Sequence, residues 1–272
     1  MDSKLQLTFY KYHGTGNDFI MIDNRDGKVA FTSAKQVAQL CDRRFGIGAD
    51  GLILIAPSDD HDFKMVYYNA DGNEGSMCGN GGRCSVAFAS FLGIVKERAT
   101  FEAVDGLHEA KLLTNATGLT TIALRMNDVE NVHTDNHRYE MNTGSPHLVL
   151  FTQALDDLDV YHEGKKIRYG SPYTEAGINV NFVEKKEGKI FMRTYERGVE
   201  DETWSCGTGT VAVAIAAVLE GLADERQEVH IESKGGPLSV QFKRDGNRFA
   251  NIILTGPAMQ VFQGNLSIMN EI

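Results

Sequence analysis

Two short segments with the same construction constrain the fold of this chain more than any other feature. Cys78 and Cys206, 128 positions apart, each begin a Cys-Gly-polar-Gly turn. A largely apolar segment follows each turn and predicts helices over residues 81–93 and 208–222. A helix that is apolar on all sides lies inside a domain. The sequence therefore predicts two cores, each built around one buried helix.

Most of the remaining sequence has the pattern of β-strands. Thirteen segments rich in β-branched and aromatic residues show rough alternation of apolar and polar positions, and only one further helix, over residues 33–41, is predicted. The acidic residues 156–159 are interpreted as an exposed helix face. A strand and a glycine-containing turn precede each buried helix. We therefore predict an α/β (α+β) fold with an internal duplication: two pseudo-symmetric β-rich domains, each wrapped around its central helix.

Composition excludes several classes of protein and partner. The chain has 272 residues, 42% hydrophobic and 24% charged, which is typical of a soluble globular protein and not of a disordered one. A net charge of −10 without a basic cluster argues against nucleic acid and anionic membrane as partners. No apolar run reaches the length of a membrane span, and the first residues do not resemble a signal peptide.

The cysteine content predicts a reducing, cytoplasmic location. Four cysteines are too few for a disulfide scaffold, and the absence of a Cys-x-x-Cys pair argues against structural zinc. The eight histidines have no metal-ligand spacing, so we expect no metal. In a reducing compartment, an accessible cysteine more often takes part in a reaction than in stabilising the fold.

A cysteine at the start of a helix has a distinctive environment. The first turn presents unpaired N–H groups and the positive end of the helix dipole, which favour a thiolate and bind carboxylate or phosphate. Glycines let a ligand approach the backbone. A single turn of this kind is compatible with a phosphate cradle, a reactive cysteine or simply a glycine-rich helix start.

Two matched turns favour the reactive interpretation. If the two domains pack with pseudo-two-fold symmetry, Cys78 and Cys206 face each other across a cleft between the domains, and both helix ends hold one carboxylate. A thiolate then removes the proton from one face of an α-carbon while a thiol delivers a proton to the other face. Cysteine suits this exchange because local charge brings its ordinary pKa of about 8.5 towards neutrality.

Several motifs resemble the diaminopimelate epimerase family. They are His-Gly-Thr-Gly-Asn-Asp-Phe (13–19), the segment 41–51, Tyr-Asn-Ala-Asp-Gly (68–72), Met-Cys-Gly-Asn-Gly-Gly-Arg-Cys (77–84), Gly-Ser-Pro-His (144–147), Tyr-Glu-Arg-Gly (195–198), Ser-Cys-Gly-Thr-Gly (205–209) and Gly-Pro-Ala (256–258). The resemblance implies a cytoplasmic, homodimeric isomerase without a cofactor. Its implied substrate is the small molecule diaminopimelate, converted from the LL to the meso form for lysine and peptidoglycan precursors.

The resemblance also implies roles for individual residues. Cys78 and Cys206 match the family's acid and base. His147 and Glu196 match the family residues that modulate the pKa values of these two cysteines. The residues that match substrate-binding positions are Asn17, Asn69, Gly79, Asn80, Asn179, Glu196, Arg197, Gly207 and Thr208. Of these, Gly79, Asn80, Gly207 and Thr208 would hold the reacting carboxylate through backbone N–H groups, Glu196 the reacting ammonium, and Asn17, Asn69, Asn179 and Arg197 the distal end.

Two departures from the family leave alternatives open. Ser145 stands where the family usually has Asn, and Gly51 where it usually has Gln. Both positions normally contact substrate, so a related racemase acting on another amino acid is the alternative enzyme. A non-catalytic carboxylate-binding protein is the alternative from another class. The implied domains are 1–118 plus 258–272 and 119–257.

Overall fold

Sixteen strands and four helices are present in the part of the chain that the structure, a computed structural model, describes, namely residues 4–75, 77–116 and 118–269. In chain order they are β1 (Lys4–Gly14), β2 (Asn17–Asp23), α1 (Ala34–Cys41), β3 (Gly51–Ala56), β4 (Phe63–Asn69), α2 (Gly79–Phe91), β5 (Arg98–Ala103), β6 (Gly106–Ala116), β7 (Leu119–Arg125), β8 (Val132–Asp135), β9 (Arg138–Asn142), β10 (Pro146–Phe151), α3 (Val160–Arg168), β11 (Asn179–Lys186), β12 (Lys189–Glu196), β13 (Asp201–Thr203), α4 (Gly207–Leu219), β14 (Val229–Ser233), β15 (Gly236–Asp245) and β16 (Arg248–Met269).

The chain divides into two compact units. Of the described residues, unit 1 contains 4–14, 18–122 and 257–269, and unit 2 contains 15–17 and 123–256. None of the described helices is long and apolar enough to cross a membrane.

In unit 1 the strand directions alternate between parallel and antiparallel. β2 pairs in parallel with β3, β3 antiparallel with β4, β4 in parallel with β5, and β5 antiparallel with β6. Helix α1 connects the first parallel pair and α2 the second, as parallel pairs need crossover connections. The first strand, β1, is antiparallel to the last part of β16.

Unit 2 repeats this plan. β10 pairs in parallel with β11, β11 antiparallel with β12, β12 in parallel with β14, and β14 antiparallel with β15. Helix α3 connects the first parallel pair, and α4 lies in the connection of the second. Because order and direction agree strand by strand, the predicted fold class with two pseudo-symmetric β-rich domains is confirmed.

The register extends the duplication to single residues. Phe19 lies opposite Gly51 in the first parallel pair of unit 1, and His147 lies opposite Asn179 in that of unit 2. Both members of the second pair are 128 positions after those of the first, which is also the separation of the two cysteines. A residue of one unit can therefore be compared with its counterpart in the other.

The two central helices are buried, as the sequence predicted. Residues 79–89 of α2 are all buried, and so are residues 209–218 of α4. Each helix starts one or two residues earlier than predicted and ends two or three residues earlier. The Cys residue precedes the first helical position in both, and the Cys206 sulfur accepts a hydrogen bond from the first-turn N–H of Gly209.

Four elements were not predicted: β6, β8, α3 and β13. In α3, Gly164 weakens the helical pattern, yet a Cβ atom there would lie 2.3 Å from Cβ of Tyr195. The glycine is therefore required for close packing of α3 on β12. The interpretation of residues 156–159 as a helix face is wrong, because they lie before α3 in a turn and an irregular segment, and Asp159 caps α3 by accepting a hydrogen bond from the N–H of His162.

Candidate active site

Cys78 is the N-cap residue of α2 in unit 1. Its backbone is extended, and its carbonyl accepts the first helical hydrogen bond, from the N–H of Gly82 at 2.7 Å. Cys78 is half-buried, and the first turn of α2 contains no acidic residue. The N–H groups of Gly79 and Asn80, both predicted to bind a carboxylate, therefore lie in a turn whose helix dipole favours an anion.

A buried cation lies beneath this turn. The Arg83 side chain is fully buried and donates hydrogen bonds to the Asn80 Oδ1 atom at 2.9 Å and to the Gly79 carbonyl at 3.2 Å. Burial lowers the pKa of Arg83, and negative charge at Cys84 and Cys78 opposes that shift. Arginine keeps its charge in proteins, so this cation electrostatically favours a thiolate at Cys78. We call Cys78, Gly79, Asn80 and Arg83 the Cys78 cluster.

Asn69 and Gly51 lie opposite each other where β4 ends and β3 begins. A Cβ atom on Gly51 would be 2.6 Å from Cε2 of Tyr67 and 2.7 Å from the carbonyl oxygen of Tyr68. These distances are shorter than real Cβ contacts. The glycine at this departure from the family is therefore dictated by the Tyr67 ring, which fills the adjacent space.

Cys206 is the N-cap residue of α4 in unit 2 and is buried, with 6% of its surface exposed. Its sulfur accepts a hydrogen bond from the N–H of Gly209 at 3.4 Å, and the Thr208 Oγ1 atom lies 3.5 Å away. The Cys206 carbonyl accepts from the N–H of Thr210 at 2.8 Å. As in α2, the first turn of α4 contains no acidic residue.

His147 lies at the start of β10 and is fully buried. Its Nε2 atom is 2.9 Å from Oγ1 of Thr208 and 3.2 Å from Oγ of Ser145, and its Nδ1 atom is 3.2 Å from Nδ2 of Asn181. Burial, with a smaller contribution from the charge of Arg197, lowers the pKa of His147 to about 3. The imidazole is therefore neutral near pH 7.

The other predicted residues of unit 2 are connected to this histidine. Asn179 donates hydrogen bonds to Oγ of Ser145 at 2.7 Å and accepts one from the N–H of Arg197 at 2.9 Å. Ser145, the second departure from the family, thus joins Asn179 to His147. Glu196 precedes Arg197 at the end of β12, where its carboxylate accepts a hydrogen bond from Thr203. We call His147, Asn179, Glu196, Arg197, Cys206, Gly207 and Thr208 the Cys206 cluster.

The segment containing Asn17 also belongs to unit 2, although β2 continues into unit 1. The Thr15 hydroxyl donates to Oγ of Ser205 at 2.7 Å, directly before Cys206. A Cβ atom on Gly16 would lie 2.8 Å from Cβ of Trp204. The positive φ of 86° at Gly16 allows the tight turn that leads to Asn17.

The other two cysteines are structural. Cys41 and Cys84 are buried, and burial raises the pKa of Cys41 to about 12 and that of Cys84 further. None of the four cysteines, all of which are described, forms a disulfide. In the described part of the chain, no three His, Cys, Asp or Glu side chains are grouped to hold a metal ion.

Sequence reasoning missed Arg83 of the Cys78 cluster and Asn181, whose side chain contacts His147. The signal for Asn181 was its position in β11, two residues after Asn179, which places both amides on one face of the strand. Arg83 was recognisable as the one charged residue in a segment predicted to be a buried helix. Its counterpart at the same distance after Cys206 is Val211.

Comparison with known sequences gives a consistent result. A family model described as diaminopimelate epimerase matches residues 9–130 and 139–261. A protein named diaminopimelate epimerase from Flavobacterium psychrophilum is 51% identical over 94% of this chain and 99% of its own length. One of the same name from Chlorobaculum tepidum is 42% identical over 94% of this chain and 99% of its own length.

Solved structures with low sequence identity share the fold. A phenazine biosynthesis protein of the PhzF family from Bacillus anthracis has a TM-score of 0.75 at 15% identity, covering 96% of this chain and 99% of its own. A hydroxyproline epimerase from Agrobacterium vitis has a TM-score of 0.68 at 13% identity, covering 100% and 95%.

Proposed function

Because the chain belongs to the diaminopimelate epimerase family, we propose that it is an isomerase that interconverts LL- and meso-2,6-diaminopimelate in lysine and peptidoglycan precursor biosynthesis. The observation that carries this proposal is that the same cysteine-containing helix start occurs once in each unit. In both units a cysteine is the N-cap of a buried helix whose first turn lacks an acidic residue. Two such cysteines suit a reaction that removes a proton from one face of a carbon and returns a proton to the other face.

In the proposed reaction, one cysteine is a thiolate and the other a thiol. The thiolate sulfur takes the proton from the substrate α-carbon, and the electron pair of the broken C–H bond is delocalised into the adjacent carboxylate. The S–H bond of the second cysteine then breaks, and its proton is delivered to the opposite face. The configuration is inverted, and the two cysteines have exchanged their protonation states.

The carboxylate that gains charge needs donors that are already in place. We assign this role to the N–H groups of Gly79, Asn80, Gly207 and Thr208 in the first turns of α2 and α4. Donors fixed by helix geometry need no reorganisation when the charge develops. The carbanion is therefore stabilised by the protein backbone, and the mechanism is independent of pyridoxal phosphate and of metal.

Five polar side chains are assigned to substrate recognition. Glu196 would bind the reacting ammonium group, and Arg197 the distal carboxylate through a charge-assisted hydrogen bond. Asn17, Asn69 and Asn179 would bind the distal amino acid end. Exposure supports these roles for Asn17, Asn69 and Arg197, which are half-buried or exposed, whereas Asn179 is buried and positions the Arg197 backbone. We further propose that the enzyme acts in the cytoplasm as a homodimer.

One specific observation favours a second candidate. Gly51 and Ser145 both differ from the usual family residues, and the Tyr67 ring fills the space beside Gly51. A changed distal pocket is the expected basis of a changed substrate, so the second candidate is a related racemase acting on another amino acid.

The test is proton NMR in D₂O with reduced protein and LL-diaminopimelate. Loss of the α-proton signal together with appearance of the meso form supports the proposed reaction and substrate. Exchange with another amino acid at a higher rate than with diaminopimelate would support the second candidate. Tight binding without any exchange, in a folded and reduced protein, would contradict both.

A further inference from the structure

We infer that Asn181, a residue outside the family motifs quoted above, is a positioning residue that fixes the tautomer of His147 so that a hydrogen-bond donor points at the sulfur of Cys206. Five side chains form a chain of hydrogen bonds that we call the relay. In order, they are Thr194, Asn181, His147, Thr208 and Cys206. All five belong to unit 2, and Asn181, His147 and Thr194 are almost completely buried. The role of the relay in catalysis rests on the proposed function, whereas its hydrogen-bond directions do not.

The first step is the orientation of the Asn181 amide. Nδ2 lies 3.0 Å from the carbonyl oxygen of Leu148, and Oδ1 accepts a hydrogen bond from the Thr194 hydroxyl at 2.9 Å. A flipped amide would bring its oxygen against the Leu148 carbonyl, where two acceptors repel. The Leu148 oxygen therefore fixes Nδ2 as the group that also faces His147.

The second step is the tautomer of His147. Nδ2 of Asn181 is a donor and lies 3.2 Å from Nδ1 of the imidazole. Nδ1 must then be the unprotonated acceptor, and the single proton of the neutral ring is on Nε2. An imidazolium would place two N–H groups against each other. The low pKa of His147 agrees with this exclusion.

The third step is the direction of the hydrogen bond between Thr208 and the Cys206 sulfur. The Nε2–H group faces two hydroxyls, Oγ1 of Thr208 at 2.9 Å and Oγ of Ser145 at 3.2 Å, and donates to the nearer one, so the Thr208 hydroxyl uses a lone pair for His147 and has its own proton available. The Cys206 sulfur lies 3.5 Å from that oxygen. Together with the N–H of Gly209, the sulfur then accepts two hydrogen bonds, an arrangement that stabilises a thiolate at Cys206.

The opposite tautomer would reverse the relay. With the proton on Nδ1, Nε2 would accept from the Thr208 hydroxyl and turn its proton away from Cys206. A neutral histidine thus favours the thiolate of Cys206 without carrying charge itself, and Asn181 determines the direction of the hydrogen bonds between them. The counterpart of Asn181 in unit 1 is Ile53, so the device exists in only one unit.

The direct test is ¹⁵N NMR of protein labelled at histidine, with the His147 signals identified by their loss in His147→Gln. We expect Nε2 protonated and Nδ1 unprotonated near neutral pH, and Nδ1 to remain unprotonated to about pH 5. Protonated Nδ1 in the wild-type protein would overturn the inference. This measurement needs no variant of Asn181 and no enzymatic activity, so its outcome is independent of the proposed function.

The second test measures the sulfur. In a Cys78→Ser background, the pH dependence of Cys206 alkylation is followed by peptide mass spectrometry. Asn181→Leu is expected to raise the midpoint by about one pH unit, which corresponds to about 1.4 kcal/mol. Thr208→Val should raise it similarly, whereas Thr208→Ser, which keeps the hydroxyl, should restore the wild-type midpoint. An unchanged midpoint in folded Asn181→Leu would contradict the relay.

A matched control removes another buried amide. Asn24 in unit 1 is buried, and its side-chain amide bonds locally to the backbone N–H and carbonyl of Val29. Asn24→Leu should leave both the His147 signals and the Cys206 midpoint unchanged. A shift of the same size in this control would assign the effect to general loosening and not to the relay.

Discussion

The starts of α2 and α4 have the same backbone arrangement, but different groups lie next to their two cysteines. Both begin after an extended cysteine and have glycine in the first and third helical positions. Beneath the Cys78 turn lies the buried cation of Arg83, whereas the Cys206 turn has Val211 at that position and a neutral imidazole with hydrogen-bond donors beside it. A duplicated scaffold can thus retain geometry while its two copies stabilise a thiolate by charge in one case and by hydrogen bonds in the other.

The largest expected effect tests whether both copies are needed. Cys78→Ser and Cys206→Ser should each reduce epimerisation by about 10²- to 10⁴-fold, the usual contribution of a general acid or base. Rates are measured by the D₂O exchange assay. Cys84→Ser, at a buried cysteine inside α2, is the control and should retain activity. Wild-type turnover in either of the first two variants would refute the two-cysteine mechanism.

The second prediction concerns the pH dependence of the free energy of unfolding that His147 gives to the Cys206 cluster and that has no equivalent in the Cys78 cluster. Because the pKa of His147 falls from 6.5 unfolded to about 3 folded, unfolding takes up a proton in this range. The free energy of unfolding should therefore fall with decreasing pH, by about 3 kcal/mol between pH 6.5 and about pH 4.

Denaturant titrations at several pH values test this contribution. In His147→Gln, that part of the slope should disappear. The control is His133→Gln, at an exposed histidine, which should retain the wild-type slope. Equal slopes in wild type and His147→Gln would contradict a buried neutral histidine.

The third prediction concerns Gly51, the counterpart of Asn179 in unit 1. Gly51→Ala should lower the free energy of unfolding by about 1–3 kcal/mol, because the new Cβ overlaps the Tyr67 ring and a backbone oxygen. Gly81→Ala is the matched control, since its Cβ meets the flexible ends of Ile53 and Met65 at 3.1 and 3.2 Å and the Phe19 ring at an ordinary contact distance of 3.6 Å. Similar losses in both variants would show that the fixed contacts at Gly51 do not matter.

The smallest expected effect concerns the cation beneath α2. Arg83→Met should slow alkylation of Cys78 near neutral pH by about tenfold, measured in a Cys206→Ser background, because about 1.4 kcal/mol of thiolate stabilisation is lost. Arg83→Lys keeps the charge and should lose less reactivity. If Arg83→Met is folded and Cys78 reacts at the wild-type rate, the proposed electrostatic difference between the clusters is absent.

Much of the fold was predictable because its patterns are local. Strands β3, β4 and β9 were predicted with the bounds that the structure shows, since each is a short β-branched or aromatic run between turns. Helix α3 was not, because the glycine that lets it approach Tyr195 has the sequence character of a helix breaker. The strand β6 was missed because polar residues alternate along it and obscure its half-buried face.

The candidate clusters were predictable to the extent that they lie in motifs. The cysteines, His147 and Asn179 were identified from sequence, whereas the connection of Asn179 to His147 through Ser145 depends on parallel pairing of distant strands. The reason for Gly51 was also hidden, because the ring that excludes a side chain there belongs to another strand. The pKa of His147 depends on burial by several elements, which no single segment encodes.

The pairing of β1 with the end of β16 has a consequence for how the chain matures on the ribosome. Strand β1 is synthesised before all of unit 2, but its antiparallel partner, residues 259–269, emerges after it. The sheet of unit 1 therefore remains incomplete while unit 2 is synthesised, whereas unit 2 has its strands as soon as residue 256 has left the exit tunnel. Unit 1, whose strands β1–β6 precede those of unit 2 in the chain, is thus completed after it, and the β1 edge must be protected from wrong partners until then.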